Sequence, residues 1–323
     1  MEGKKTDMTG FSYCAAVPTM NRPEDLRHCL VCVLKQNPQP EKIIIIDDGD
    51  LDIALLCAEL GLEKEKVIYH RKKEPGMVES YNIAMDLCPS EWILILDDDI
   101  YLYDDFMEQM IRALRNYSEP GKVAGLAGYP VKAVPPKNSL STRIFRILEY
   151  LFQIGGGCEG RFFLSSFCTD YGQGYHPRHA YEVEHIPGGI GLWRNGLIRQ
   201  YRHQIKYGKV YALGSDKDMA YRISRKHTLL CEPSARALHQ KSSKGRMPRY
   251  DFGQMIIRNQ FLFYRETFEK SKLSSLFFYW SILGKLISYF TGAVLSGRFG
   301  ERVVEVRGMI DALRKEIRGN VRS

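Results

Sequence analysis

Three adjacent carboxylates, Asp97, Asp98 and Asp99, follow the apolar run "WILIL" at residues 92–96. Two unit negative charges about 5 Å apart repel by roughly 3 kcal/mol at an effective dielectric near 20. Such a cluster needs open water or a compensating cation. A hard divalent ion, Mg²⁺ or Mn²⁺, held by few carboxylates and by the oxygens of a diphosphate cancels both sets of charge. A second acidic run, "DDGD" at 47–50, ends another apolar stretch, and "PTMNR" at 18–22 follows a third. Further on come "GSDKDMAYR" (214–222), with Asp216 and Asp218 two residues apart, and "ALH", which ends at His239. Each has a plain structural alternative. Asp48 could cap a helix, Asp216 could be an N-terminal helix charge favoured by the dipole, and His239 could simply end a strand.

The elements that must position these groups follow from periodicity. "FSYCAAV" (11–17), "KIIIID" (42–47), "VIYHR" (67–71) and "WILILD" (92–97) read as short buried strands. Helical spacing fills the intervals: 24–36 behind Pro23, 51–61 closing at Gly61, 78–88, and the stretch after Asp104. This alternation predicts an α/β fold, a Rossmann-like, mostly parallel sheet flanked by helices. Ligands bind beyond the carboxyl ends of such strands, so "PTMNR", "DDGD" and "DDD" line one rim. From about residue 130 the pattern loosens. An amphipathic helix (141–154) leads into a Gly-rich loop, and "EVEHIPGGIGLWRN" reads as strand and turn. A helix then opens with Ser215 as its N-cap, followed by two short strands, "TLLCEP" and "ARALH", and the basic stretch "QKSSKGRMPR". The expected organisation is a nucleotide-binding half (1–130), a second half with a flexible basic loop (131–250), and a helical region (251–323).

Charge divides unevenly. Residues 1–198 hold 21 Lys/Arg against 28 Asp/Glu, whereas residues 199–323 hold 25 against 10, giving +8 for the chain. The second part should therefore face something anionic, or be a solvated set of basic helices. Nucleic acid is disfavoured, because the acidic rim repels phosphate unless a metal intervenes. Eight cysteines lie mostly inside apolar runs, and the lone C-x-x-C of Cys29 and Cys32 has no second pair. Buried thiols in a reducing compartment are expected. The first ten residues lack the apolar stretch of a signal peptide, which points to the cytoplasmic side. In residues 276–296, Ser281, Lys285, Ser288, Gly292 and Ser296 share one helical stripe. A central Lys and this stripe offset most of the gain from spanning a bilayer. The helix is expected either to lie in a membrane interface beside the basic tail or to pack against the rest of the protein.

"AAVPTMNRP", "IIIIDDGD", "ILILDDDI", "PGGIGLWRN", "GSDKDMAYR" and "ALH" occur in this order over residues 11–240. In that order and spacing the chain resembles the family 2 glycosyltransferases of the GT-A fold. The resemblance implies a nucleotide-sugar donor whose base and ribose meet Pro18, Thr19, Asn21 and Arg22, with Asp48 pairing with the base. Asp97 and Asp99 would frame a D-x-D motif on the metal, while Asp97 or Asp98 faces the ribose or sugar. Gly188 and Gly189 would form the acceptor-side turn, Asp216 would be the catalytic base, and His239 a late metal or diphosphate ligand. Lys241, Lys244, Arg246 and Arg249 are expected to close over the diphosphate as a lid.

Two departures stand out: Ser215 where the family's usual acid precedes the base, and Tyr81 where an Arg is common. No Q-x-x-R-W signature follows Asp216, so transfer of one sugar is expected rather than polymerisation. The implied function is inverting transfer to a glycan, carried on a lipid, in cell-surface polysaccharide or glycoprotein assembly. Two rivals remain: a nucleotidyltransferase, which needs no base at Asp216, and a non-catalytic protein that binds sugar nucleotides or glycans.

Overall fold

The computed structural model describes residues 10–131, 140–240, 247–295 and 299–320. Lys241, Lys244 and Arg246 of the expected lid lie outside them. Two compact units divide the chain: residues 1–135 with 177–245, and residues 136–176 with 246–323.

The first unit begins with the β/α alternation read from the sequence. Strands β1 (Tyr13–Thr19), β2 (Lys42–Asp47), β3 (Val67–Arg71) and β4 (Trp92–Leu96) are interleaved with helices α1 (Pro23–Leu34), α2 (Ile53–Leu60) and α3 (Met77–Leu87). The runs "KIIIID" and "WILIL" are apolar on both faces because both faces are covered, and Ile43 to Ile46 and Ile93 to Leu96 are buried throughout. Helix α2 is fixed at both ends. Asp52 caps it by accepting from the Leu55 N–H, and Gly61 closes it in the left-handed region. Asp48 is therefore not the cap of that helix.

Next come β5 (Ile100–Leu102), α4 (Phe106–Asn116) and β6 (Val123–Val131); after the excursion into the second unit come β7 (Tyr181–Val183), β8 (Ile190–Arg194) and the short α6 (Asn195–Ile198). The sheet order is β3-β2-β1-β4-β8-β6-β9-β5, with β7 also on β9, where β9 is Thr228–His239. The pairs β3–β2–β1–β4 are parallel, as expected. Strand β8 enters antiparallel to both β4 and β6, so the full sheet is mixed. Chain direction leaves β1 on one side toward β2 and on the other toward β4, which makes the gap beyond their carboxyl ends the switch point. Helices α1 and α4 cover one face, with Leu26, Leu30, Met107 and Met110 in the core against Val17, Ile45, Leu94 and Leu96.

Three local readings are corrected. "TLLCEP" and "ARALH" form one strand, β9, because Pro233 sits in an irregularity: consecutive Gly128 and Tyr129 of β6 face Glu232 and Arg236. Helix α7 (Ser215–Ser224) is preceded by Gly214 at φ 89°, and Ser215 is its first residue, not its cap. Arg249 is the first residue of a helix, α8 (Arg249–Glu266), not of a loop, and its guanidinium lies 3.7 Å from Glu305. The second unit holds α5 (Leu140–Leu151), α8, α9 (Ser274–Leu295) and α10 (Phe299–Asn320). No helix among the described residues is long and apolar enough to cross a membrane.

Candidate active site

The site is built on strand ends. Thr19 closes β1, and its hydroxyl donates to Asp98 at 2.8 Å; Arg22, immediately before α1, donates to the other Asp98 oxygen at 3.0 Å. Burial pushes the Asp98 carboxyl up to about 6, with Thr19 and Arg22 pulling the other way. One arginine thus serves two acids, since its nearest nitrogen is also 4.0 Å from Asp99. Asp99 lies 3.2 Å from His239 Nε2, at the carboxyl end of β9. Its place follows from pairing: Ile100 in β5 is opposite His239.

Asp97 faces elsewhere. Its Oδ1 accepts from the Tyr81 hydroxyl at 2.6 Å, and burial holds its carboxyl above the usual range. Burial and the neighbouring Asp97 push the Tyr81 phenol far up, so it stays a donor. Under Tyr81 lies His203, its ring stacked at 4.9 Å and its Nδ1 2.9 Å from the Ser215 hydroxyl. Burial lowers His203 to about 4, so the ring is neutral at pH 7. Asn82 clamps the same segment by exchanging two hydrogen bonds with the His203 backbone. Sequence reading missed His203 and the role of Ser215, which holds the ring where the family's usual acid would stand.

Asp216, at the second position of α7, is fixed by three groups. Gly188 N–H and Lys217 N–H donate to it at 3.2 and 2.9 Å, and His185 Nε2 is 3.4 Å away. Burial alone would raise this carboxyl, but the His185 hydrogen bond and charge, with Lys217, hold it well below the usual range. The nearby rival Asp218 is fully buried and occupied by Tyr207 and Arg222 at 2.9 and 2.7 Å. That leaves Asp216 as the acid able to meet a substrate.

Gly188 and Gly189 join the two halves of the site. The Asp97 N–H donates to Gly189 O at 3.0 Å. A Cβ on Gly189 would fall 2.1 Å from an Asp97 carboxylate oxygen, and one on Gly188 would fall 3.1 Å from the Asp216 Cβ. Gly189 has no room for a side chain, and Gly188 has little, because acidic side chains lie against their backbone.

Around β2 the acids behave differently. Asp47 accepts from Gly49 N–H, Leu51 N–H and Tyr69 hydroxyl. Asp48 takes Gly76 N–H, the Ser80 hydroxyl and an ion pair of 3.0 Å with the buried Lys72. A cleft of about 200 Å³ opens between the β1 and β2 loops, lined by Thr19, Asn21, Arg22, Asp47, Asp50 and Leu51, among others. Asn21, at φ 56°, packs against Gly49, where a Cβ would meet its Oδ1 at 2.2 Å. Pro18, opposite Ile46 in the sheet, sets the strand end behind them. Asp48 does not line this cleft, because its carboxylate is drawn to Lys72; Asp47 and Asp50 do.

The donors present suit a hard divalent cation. A carboxylate and an imidazole, Asp99 and His239, converge at 3.2 Å, and such ions are bound by one or two protein carboxylates plus substrate phosphates. Asp97, Asp99 and His239 do not close into one three-donor cluster with every ligand atom within 4.8 Å of the others. The Oδ1 of Asp97 accepts from Tyr81 instead.

A mixed α/β sheet with an acidic rim at its switch point and a partly exposed carboxylate, Asp216, across a Gly-Gly turn is the architecture of the GT-A fold. The sequence model of glycosyl transferase family 2 matches residues 14–157, a little under half of the chain. A "PGL/p-HBAD biosynthesis glycosyltransferase" of Mycobacterium bovis is 27% identical over 115 residues, 35% of this chain and 45% of the relative. The match thus spans under half of that relative's length. A mannosyltransferase of Pyrobaculum calidifontis superposes with a TM-score of 0.56 at 13% identity, over 94% of this chain and 88% of its own. TarS residues 1–349 of S. aureus superposes equally well, 0.56 at 12% identity, over 94% and 79%.

Proposed function

We propose that the chain is a metal-dependent, inverting glycosyltransferase. It moves one sugar from a nucleotide-sugar donor to a glycan acceptor carried on a lipid, in cell-surface polysaccharide or glycoprotein assembly. It works peripherally at the cytoplasmic face of a membrane. The observation that carries the catalytic half is the Gly188–Gly189 turn, which touches Asp97 on the donor side and Asp216 on the other. The lipid half is supported by the basic balance of the C-terminal part.

In this reading the base and ribose occupy the cleft beside Thr19, Asn21 and Arg22, with Asp50 rather than Asp48 free to meet the base. Asp99 and His239 would hold Mg²⁺ or Mn²⁺ beside the diphosphate site. When bound, the ion neutralises the charge gained by the leaving diphosphate. The Pyrobaculum mannosyltransferase was solved with GDP-Man and Mn²⁺, which is the same class of ligand set.

Asp216 takes the proton of an acceptor hydroxyl as that oxygen attacks the anomeric carbon. The new carbon–oxygen bond forms on the face opposite the breaking bond to the diphosphate, and configuration inverts. Asp216 is held ionised by its neighbours, and the Gly188 and Lys217 amides keep its oxygens aimed. Arg22 and Thr19 hold Asp98 beside the donor, while Tyr81 keeps Asp97 oriented.

The test is a panel of nucleotide-sugars assayed for Mn²⁺-dependent hydrolysis and for transfer to lipid-linked oligosaccharide. One donor should respond, EDTA should abolish the response, and Asp216→Asn should lose transfer while still binding donor. No hydrolysis and no nucleotide-induced thermal shift with any donor would overturn the proposal.

A further inference from the structure

Helix α9 buries a mixed stripe: Ser274, Phe278, Ser281 and Ile282 are buried, Ser281 donates to Phe152 O at 2.6 Å, and Phe152 fills the space above Gly284. A Cβ at Gly284 would come within 2.3 Å of that ring. The opposite stripe holds further large apolar residues and is exposed. Leu276 is 68% exposed, Phe290 53% and Val294 56%, and Leu283 and Ile287 lie between them on the same face. Their spacing of three and four residues makes this one continuous ridge.

Helix α5 extends the ridge. Its last residues abut α9, with Trp280 Nε1 donating to Leu151 O at 2.9 Å and the Phe152 and Trp280 rings 4.7 Å apart. Ile147 and Leu151 are 58% and 60% exposed. Monomeric soluble proteins rarely display contiguous apolar surface on this scale without a partner.

We propose that this ridge docks on an anionic bilayer, lying in the headgroup–acyl boundary without crossing it. Charge selects a bilayer over another occupant. The unit containing α5, α9 and α10 holds 18 Lys/Arg against 10 Asp/Glu, a balance of +8, whereas the other unit has 28 of each. Arg143 and Lys272 are exposed beside the apolar residues at the starts of α5 and α9. Exposed Tyr279 and Trp280 add the amphipathic aromatics that sit at headgroup level. An apolar face flanked by cations is the composition of an interfacial helix. The ridge deepens the lipid-acceptor reading and rests on it for its purpose, while its evidence comes from these helices alone.

The experiment is flotation of the full chain with vesicles of phosphatidylcholine, with and without 30% phosphatidylglycerol. The wild type should float with the anionic vesicles and lose most binding in high salt. A triple variant, Leu283→Ser with Ile287→Ser and Phe290→Ser, should lower partitioning at least tenfold with an unchanged nucleotide-induced thermal shift. Arg143→Gln with Lys272→Gln should lower it several-fold on anionic vesicles only.

Wild type that stays off the vesicles, or a triple variant that floats like wild type, would overturn the proposal. So would a wild-type dimer, seen by sedimentation, that the triple variant dissolves, since the ridge would then be covered by a second copy. Flotation without any donor hydrolysis would instead sink the glycosyltransferase mechanism and leave the docking surface standing.

Discussion

Two acidic runs end neighbouring regions of one sheet, yet their surroundings differ. Asp47 and Asp48 are surrounded by donors: three backbone amides, two hydroxyls and the buried Lys72. Asp97, Asp98 and Asp99 meet Tyr81, Thr19, Arg22 and His239, and burial pushes Asp97 and Asp98 above the usual carboxylate range. Asp47 and Asp48 of the first run are held by the fold, while Asp50 of the same run lines the cleft. In the second run burial disfavours the charged forms of Asp97 and Asp98, a cost that a divalent ion with a diphosphate would offset.

The sharpest way to break this comparison is to remove acids on the active side. Asp216→Asn and Asp99→Ala should each lower turnover by about 10³-fold. Only Asp99→Ala should also remove the Mn²⁺ dependence of nucleotide binding, measured by calorimetry. Asp48→Asn should leave that dependence intact; if it does not, the two runs are not distinct.

The next effect belongs to the structural side. Lys72→Met leaves Asp48 buried without its cation and should cost about 3–5 kcal/mol of stability, read from urea unfolding. Asp99→Ala, which relieves repulsion, should cost far less.

A pH test follows from the neutral ring under Tyr81. His203 titrates near 4 when folded and near 6.5 when unfolded. Between these values the unfolded chain binds more protons, so stability rises with pH from about 4 to 6.5, by up to about 3 kcal/mol. His203→Gln should flatten this part of the profile. The smallest expected effect is that of Mn²⁺ with a nucleoside diphosphate, about 2–3 kcal/mol of stabilisation at a hundredfold excess over the dissociation constant. It should vanish in Asp99→Ala and persist in Lys72→Met.

Much of the first unit was legible because its strands are β-branched runs too short for helices and its helices carry clear stops, as at Gly61. Strand β6 was not, since "VAGLAGYPV" has the glycines of a loop. Gly125 and Gly128 are there to admit Trp193 and Phe106, which come from other elements. Strand β9 was split in reading by Pro233, which a bulge accommodates.

In the site, acids placed after apolar runs were visible as candidates, whereas their partners were not. Tyr81 meets Asp97, His185 meets Asp216, and His203 meets Ser215. None of these pairs shares a local pattern, because pairing of distant strands and helices creates them. Ser215 shows the limit well: a serine at a helix start reads as a cap, but its hydroxyl was already spent on a buried histidine.

The glycine pair at 188–189 has a consequence for anyone wishing to retarget this enzyme. Because one peptide segment abuts both Asp97 and Asp216, a graft that replaces it must keep the clearance on both sides. Any side chain at position 189 would collide with the Asp97 carboxylate.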